Sequence, residues 1–220
     1  MQIPSDWTFK NLEVANGFDA HVRATLPWYD LATGAVAHVA RHYLPQNGLI
    51  YDIGASTGNI GRALSDVIES RQARLIAIDD SESMAGKYNA PGELVIGDAL
   101  NFEYEKFDVA VAMLVMMFFP PIARKTWLQD LYSNMKPGGV IILLDKCDGP
   151  PGYLSTVMHR LTIAGKVASG ISSDEIIAKE LSLSGVQRPL PYNFIQFAVP
   201  EAYEFFRFGE FAGWVITRQE

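Results

Sequence analysis

Three aspartates, Asp52, Asp79 and Asp98, each lie in or directly after a short apolar run, beside glycines or a second acid. In an open parallel sheet, ligands bind beyond the carboxyl ends of the strands, where strand order reverses. Acids at successive strand ends can therefore meet one ligand together. In Tyr51-Asp52-Ile53-Gly54-Ala55-Ser56-Thr57-Gly58, Gly54 and Gly58 let the backbone bend sharply and approach a ligand with no Cβ in the way. The loop, with Ala55 at its centre, opens onto a helix N-terminus, whose free N–H groups favour a carboxylate. In Ile78-Asp79-Asp80 a carboxylate can accept from both hydroxyls of a ribose; Asp80 suits an N-cap of the next helix equally well. In Gly97-Asp98-Ala99 the acid can accept from the exocyclic amine of adenine while the next N–H meets a ring nitrogen. Alone, such a residue is a loop aspartate satisfying its own backbone. Each element has a plain structural explanation, and their joint order is what points to an adenosyl ligand.

The first loop also says which adenosyl ligand. A pyrophosphate-binding loop wants G-x-G-x-x-G after the first strand, and Gly54, Ser56 and Gly58 break that pattern. Asp52 favours a positively charged ligand over a pyrophosphate, which points to a sulfonium.

The elements that must position these loops alternate β-rich and helical stretches, as crossover units of a parallel sheet do. Strands are expected at Gly48 to Ile53, Arg74 to Ile78, Glu93 to Ile96, Phe107 to Met113 and Val140 to Leu144, with a closing hairpin of Tyr203 to Arg207 and Glu210 to Thr217. Helices are expected at Trp28 to Tyr43 (Leu31, Ala35, Val39 and His42 or Tyr43 near one face), Asn59 to Ser70, Ser81 to Tyr88, Pro121 to Met135, Tyr153 to Val167 and Asp174 to Leu183. Ser81 is the expected N-cap of its helix, and Lys136-Pro137-Gly138-Gly139 reads as a turn. Tyr192 to Val199 fits a short helix or a strand. The first 27 residues, with Trp7, Phe9, Leu12, Phe18 and Pro27, read as an irregular arm with apolar anchors.

The chain has 220 residues, 49% of them hydrophobic, enough for one domain with a full core. A formal charge of -7, with Lys and Arg scattered among acids, speaks against tight nucleic-acid binding, which needs clustered cations. No run is long enough to span a membrane, the first ten residues lack the pattern of a signal peptide, and a cytoplasmic location is expected. Cys147, the single cysteine, and four scattered histidines give no disulfide and no zinc spacing. Cys147 is expected to be an inert small side chain.

Tyr51-Asp52-Ile53-Gly54, Leu75 to Ser81, Ile96-Gly97-Asp98 and Met135 to Gly139 resemble the motifs of class I S-adenosylmethionine-dependent methyltransferases. More narrowly, Asp6 to Phe9, Phe18-Asp19, Pro27-Trp28-Tyr29, Asp145-Lys146 and the Glu204 to Thr217 hairpin are similar to the carboxy-S-adenosylmethionine synthase group. The resemblance implies an α/β fold: a doubly wound, mostly parallel seven-stranded sheet with an antiparallel final strand, Rossmann-like, in a single domain over residues 1–220. Residues 1–45 would be an N-terminal arm and helix, and 150–190 a helical lid. It implies S-adenosyl-L-methionine as cofactor, Tyr29 lying over it, Met84 and Met113 completing the set formed by the strand-end loops, and a homodimer. Met113 stands at the fourth strand end, where the reactive end of the cofactor faces, and occupies the place of that group's asparagine. Glu180 falls where the group has an arginine that binds the added carboxylate, and a Glu there would repel it.

Methyl transfer can proceed by positioning and desolvation, with a general base optional, and no catalytic residue is assigned. Phe119-Pro120-Pro121 sits too late for the motif that holds an exocyclic amine, and Cys147 is misplaced for a nucleophile. Tyr153, His159, Arg160 and Tyr192 are candidates for an acceptor pocket or for a solvated helix face, and His21, His38 and His42 are expected to pack or face solvent. The leading expectation is a small-molecule methyltransferase. The alternatives are a carboxy-S-adenosylmethionine synthase acting on the cofactor itself, and a non-catalytic binding protein.

Overall fold

The computed structural model describes residues 8–218. Asp6 and Trp7 lie outside them. The strands are β1 (Leu49–Ile53), β2 (Arg74–Asp79), β3 (Glu93–Ile96), β4 (Phe107–Met113), β5 (Met135–Lys146), β6 (Tyr203–Phe208) and β7 (Phe211–Thr217). The helices are α1 (Leu12–Thr25), α2 (Tyr29–Tyr43), α3 (Asn59–Ala63), α4 (Ser65–Ser70), α5 (Glu82–Ala85), α6 (Pro121–Asn134), α7 (Tyr153–Ala168), α8 (Ser173–Ser182) and α9 (Phe194–Ala198), with a 3₁₀ turn at Met116–Phe118.

The sheet has seven strands in the order β3-β2-β1-β4-β5-β7-β6. β7 pairs antiparallel with both β5 and β6, while the pairs among β1 to β5 are parallel. β7 is thus the one strand running against the rest, as the sequence motifs imply. Strand order reverses between β1 and β4, so the crevice for a ligand opens above their carboxyl ends.

Near-continuous apolar strands follow from burial on both faces. Alternate residues of each strand feed opposite layers. Tyr51, Ile53, Ile76, Ile78, Ala110 and Ile141 pack with Trp127, Leu128 and Leu131 of α6. Ile50, Leu75, Ala77, Val109, Val111 and Ile142 pack with Val36, Ala37 and Ala40 of α2 and with Ile60, Leu64 and Val67.

Five expectations are corrected. The N-terminal arm contains a regular 14-residue helix, α1, capped by the Asn11 side chain accepting from Glu13 N. Its inward positions, Val14, Ala15, Phe18 and Val22, have helical spacing, a signal masked by the aromatic anchors. On α2 the buried face is Ala32, Val36, Ala37 and Ala40, and Leu31 is 73% exposed. The helix expected over Asn59 to Ser70 breaks at Leu64 into α3 and α4, and the one expected to reach Tyr88 ends at Ala85. Lys136 to Gly139 are an irregular stretch within β5: the register with β4 runs Phe107↔Met135 and then Val109↔Val140. Residues 194–198 are helical, which settles the ambiguous Tyr192 to Val199 segment.

At the carboxyl end of β5, Asp145 is 1% exposed and accepts backbone N–H groups from Val115 (3.2 Å), Met116 (2.7 Å) and Met117 (3.3 Å). These N–H groups follow Leu114, whose φ of 64° is rare for a branched side chain. The carboxylate therefore fixes the chain's exit from β4. Burial pushes the Asp145 carboxyl up to about 7, against the pull of its N–H donors. Asp145→Ala leaves those donors buried without an acceptor. It should cost about 2 kcal/mol in urea unfolding, the penalty of orphaned buried polar groups, whereas an unchanged midpoint would show that Leu114 is held by packing alone.

Candidate active site

A cavity of about 700 Å³ lies above the carboxyl ends of β1, β2, β4 and β5, roofed by α1 and α8. That is within the roughly 300–1,000 Å³ of small-molecule pockets. Tyr29, Asp52, Gly54, Ala55, Asp79, Asp80, Met84, Gly97, Asp98, Ala99 and Met113 all line it. Gly58 does not. It caps α3 at φ 88°, and a Cβ there would lie 2.6 Å from the Cβ of Ala90.

Each loop is pinned by a specific contact. Asp79, 9% exposed, accepts Ser56 N (2.7 Å) on one oxygen and Ser81 N (3.0 Å) on the other. It joins the loop after β1 to the start of α5 and holds Ser56 at φ 51°. A carboxylate has about four lone-pair sites, so Asp79 keeps acceptor capacity toward the cavity. Ser81 caps α5 as expected, accepting from Met84 N, while Asp80 is no cap and pairs with Lys10 at 3.2 Å. Below the Gly97-Asp98-Ala99 loop, Trp127 Nε1 (3.1 Å) and the Tyr104 hydroxyl (2.9 Å) both donate to the Ala99 carbonyl. Asp98 accepts from Leu100 N (2.9 Å) and from the Asn101 amide (2.8 Å), so it satisfies its own loop while standing at the cavity rim.

Asp52 differs from these. It is 2% exposed, and its Oδ2 has no hydrogen-bond partner among the described residues. Burial, reinforced by the nearby Asp79, pushes its carboxyl up to about 7, against the Gly61 N–H and Arg62. An ionised carboxylate so placed calls for a cation. Burial likewise raises Asp79, opposed by its two N–H donors.

The roof is anchored by polar contacts. Asp19 of α1 accepts from Thr57 Oγ1 (2.7 Å) and Asn59 Nδ2 (2.9 Å), and lies 3.4 Å from Arg62 Nη2. Arg23 pairs with Asp30 at 2.9 Å and stacks over the Tyr29 ring at 5.5 Å. Ser81 Oγ donates to Phe9 O at 2.7 Å, and the Phe9 ring meets Phe118 edge-on at 5.1 Å.

The far end of the cavity brings together residues that sequence reading did not connect, and Lys166 and Lys179 were not candidates at all. Lys146, at the end of β5, Lys166 of α7, and Lys179 and Glu180 of α8 line it, with His21 of α1. Burial pushes His21 down to about 4 and Lys179 down to about 6, with Lys166 adding to the latter. Lysines on three separate elements have no common spacing in sequence; only the capping box of Ser172 and Glu175, which starts α8, was a local clue. Tyr153, His159, Arg160 and Tyr192 are absent from the lining. His159 binds Glu210 at 3.0 Å and Arg160 the Tyr153 hydroxyl at 3.3 Å, on an exposed face of α7. Cys147 is buried and takes a contact from Arg207 Nη1 at 3.5 Å; burial raises its thiol. Among the described residues no group of three or more His, Cys, Asp or Glu could hold a metal ion, and no helix is long and apolar enough to cross a membrane.

Residues 50–139 match the model of a methyltransferase domain. The chain is 31% identical over 194 residues to a carboxy-S-adenosyl-L-methionine synthase of Shewanella pealeana, covering 84% of this chain and 79% of the relative. The chain belongs to the class I S-adenosylmethionine-dependent methyltransferases, in the group of the carboxy-S-adenosyl-L-methionine synthases. A synthase of Staphylococcus epidermidis is 28% identical, covering 85% of this chain and 84% of the relative. The fold of this family is seen again in a complex titled DhpI-SAH (TM-score 0.63, 14% identity, 94% of this chain and 93% of that one). It is seen too in magnesium protoporphyrin IX methyltransferase from Synechocystis (TM-score 0.60, 15% identity, 96% and 97%). The cofactor of the family is S-adenosyl-L-methionine.

Two glycines separate cavity shape from simple tolerance. Gly54 has φ 69°, and an added Cβ would lie 2.5 Å from Val115 Cγ2, whereas a Cβ at Gly97 meets nothing within 4 Å. Gly54→Ala should destabilise the fold by about 1–3 kcal/mol, the usual range for backbone strain, and Gly97→Ala by less than about 0.5 kcal/mol. Equal unfolding midpoints in urea would show that the loop after β1 adapts.

Proposed function

We propose that the cavity holds S-adenosyl-L-methionine through the strand-end loops and that the chain transfers its methyl group to a small-molecule acceptor entering from the lysine end. The observation that carries this reading is the buried Oδ2 of Asp52, which has no hydrogen-bond partner among the described residues and belongs to a residue lining a ligand-sized cavity. In this reading Asp52 receives the ammonium of the cofactor's amino-acid part, and Gly54 and Ala55 supply close backbone. Asp79 accepts from the ribose hydroxyls, with Asp80 at the rim. Gly97, Asp98, Ala99 and Met84 frame the adenine, and Tyr29 and Met113 flank the reactive end. Gly58 acts at a distance, by setting the entry into α3.

When bound, the sulfonium supplies a methyl carbon open to in-line displacement. The chain's own work is then positioning and exclusion of water: α1, held by Asp19 and Arg23, closes the cavity with Phe9, Phe18 and Leu26. Burial pushes His21 down to about 4 and Lys179 down to about 6, and both line this cavity. We place the protein in the cytoplasm as a homodimer. The exposed apolar side chains Leu161, Val167, Ile177 and Leu181 on α7 and α8 support a second copy there, and the charge of -7 speaks against a nucleic-acid partner. Sedimentation velocity at micromolar protein checks the dimer.

A second reading, action on the cofactor itself to give a carboxylated sulfonium, is favoured by the relatives' names. Mass spectrometry of the ligand that co-purifies separates the two: transfer of label from methyl-labelled cofactor to a small product supports the first reading, and a ligand heavier by one carboxyl group supports the second.

The Asp52 reading also predicts a pH dependence. The carboxyl titrates near 7 in the free protein, and a bound cation favours its ionised form. Binding therefore releases a proton, and affinity weakens as pH falls below about 7, by up to about tenfold per unit. Calorimetry from pH 8 to 6 should show this slope. Asp52→Asn should lose it, together with roughly ten- to hundredfold in affinity, the usual worth of a charge-assisted hydrogen bond.

A further inference from the structure

At the lysine end of the cavity, Glu180 reaches two ammonium groups at once. Its Oε1 lies 2.8 Å from Lys166 Nζ and its Oε2 lies 3.7 Å from Lys146 Nζ. The lysines come from different elements, the end of β5 and the last turn of α7, and are only 7% and 9% exposed. The Glu180 side chain is 42% exposed and borders the open cavity. One carboxylate oxygen directed at each of two converging cations is the way proteins hold a small carboxylate. Here the carboxylate belongs to the chain.

We propose that Lys146 and Lys166 form a carboxylate clamp which the protein fills with its own Glu180, making Glu180 a specificity-determining residue that keeps carboxylate-bearing acceptors out of this end of the cavity. The proposal rests on the reading of this cavity as the acceptor site, and it adds the class of acceptor: one that is uncharged at the group reaching the clamp.

Two physical points support it. First, this is not a solvated surface pair of little consequence. Buried ammonium groups need a counter-charge, and Glu180 is the carboxylate within ion-pair distance of both. Burial works to raise the Glu180 carboxyl, and Lys146 and Lys166 outweigh it, leaving it below its ordinary value and ionised. Second, Glu180 is held in place by its helix. Ser172 and Glu175 form a reciprocal capping box at the start of α8, and Ile176 and Leu183 are buried on the same side. An incoming carboxylate thus meets a fixed like charge. Removal of Glu180 would leave two buried cations around a space open to the cavity, and an anion from solution can then enter.

Wild type, Glu180→Ala and Glu180→Gln, each as the full chain without added cofactor, should be titrated with sodium benzoate by calorimetry at matched ionic strength. Glu180→Ala should bind benzoate at least tenfold more tightly than wild type, with Glu180→Gln between them, since its amide keeps the volume but not the charge. If loss of the ion pair destabilises the variants, acetate should raise their melting temperature above that in equal chloride, and leave wild type unchanged. Equal benzoate affinity in all three proteins, or variants that neither bind benzoate nor are stabilised by acetate, would overturn the clamp. S-adenosyl-L-methionine is titrated into the same proteins: failure of wild type to bind it would sink the proposed function and leave the clamp result standing.

Discussion

The burial of carboxylates at strand ends is the constraint on which this structure turns. An ionised carboxyl placed in a protein interior must find donors or cations, or it gives up its charge. Asp79 at the end of β2 and Asp145 at the end of β5 find backbone N–H groups, and both find them on the loop that leaves the neighbouring strand. Ser56 and Leu114, the non-glycine residues with positive φ in those two loops, sit beside these acceptors. The two halves of the sheet therefore use one device: an acid on one strand compels the exit path of the strand beside it. The gap between those exits is the cavity. Asp52 lies between them, buried like the others but with one oxygen that has no hydrogen-bond partner among the described residues, and that unmet acceptor is the ground on which we propose a cation there.

The same logic, with the signs reversed, governs the opposite end. Lys146 and Lys166 are cations buried at the cavity wall, and Glu180 is the answer the chain supplies. The cavity is thus polar at both ends and apolar along its roof, where Phe9, Phe18 and Leu26 lie. Such a space orients an elongated ligand by charge at its ends and by area in its middle. A protein with a net charge of -7 concentrating its buried lysines here is spending stability on a local purpose, since buried ion pairs contribute little net stability.

Much of this was legible in the sequence, for reasons that differ by element. Parallel strands read well because burial on both faces makes them continuous apolar runs, and because glycines and aspartates must follow at their ends; eleven of the twelve residues expected around the ligand do line the cavity. Gly58 shows the limit of that reading. A glycine can be required by its own φ and by a neighbour such as Ala90 without ever facing the ligand. The helix α1 was hidden because its apolar residues are few and partly alanine, while the conspicuous aromatics around it suggested an irregular arm. The turn signal at Lys136 to Gly139 was real in its chemistry and different in its consequence, since the chain bulges and continues as β5.

The lysine end was not legible as a cluster. A site made by one residue from β5, one from α7 and two from α8 has no spacing rule, because its geometry is set by how two helices fold back over the sheet. Glu180 drew attention only as a charge in an unexpected place, and its meaning changed with its surroundings: taken by itself it repels a carboxylate, and between Lys146 and Lys166 it takes a carboxylate's position. A motif reports what a residue type permits. Which of the permitted roles is realised depends on the counter-charges that folding delivers from elsewhere, so the part of this cavity built from loops contiguous with their strands can be read locally, and the part built across elements cannot.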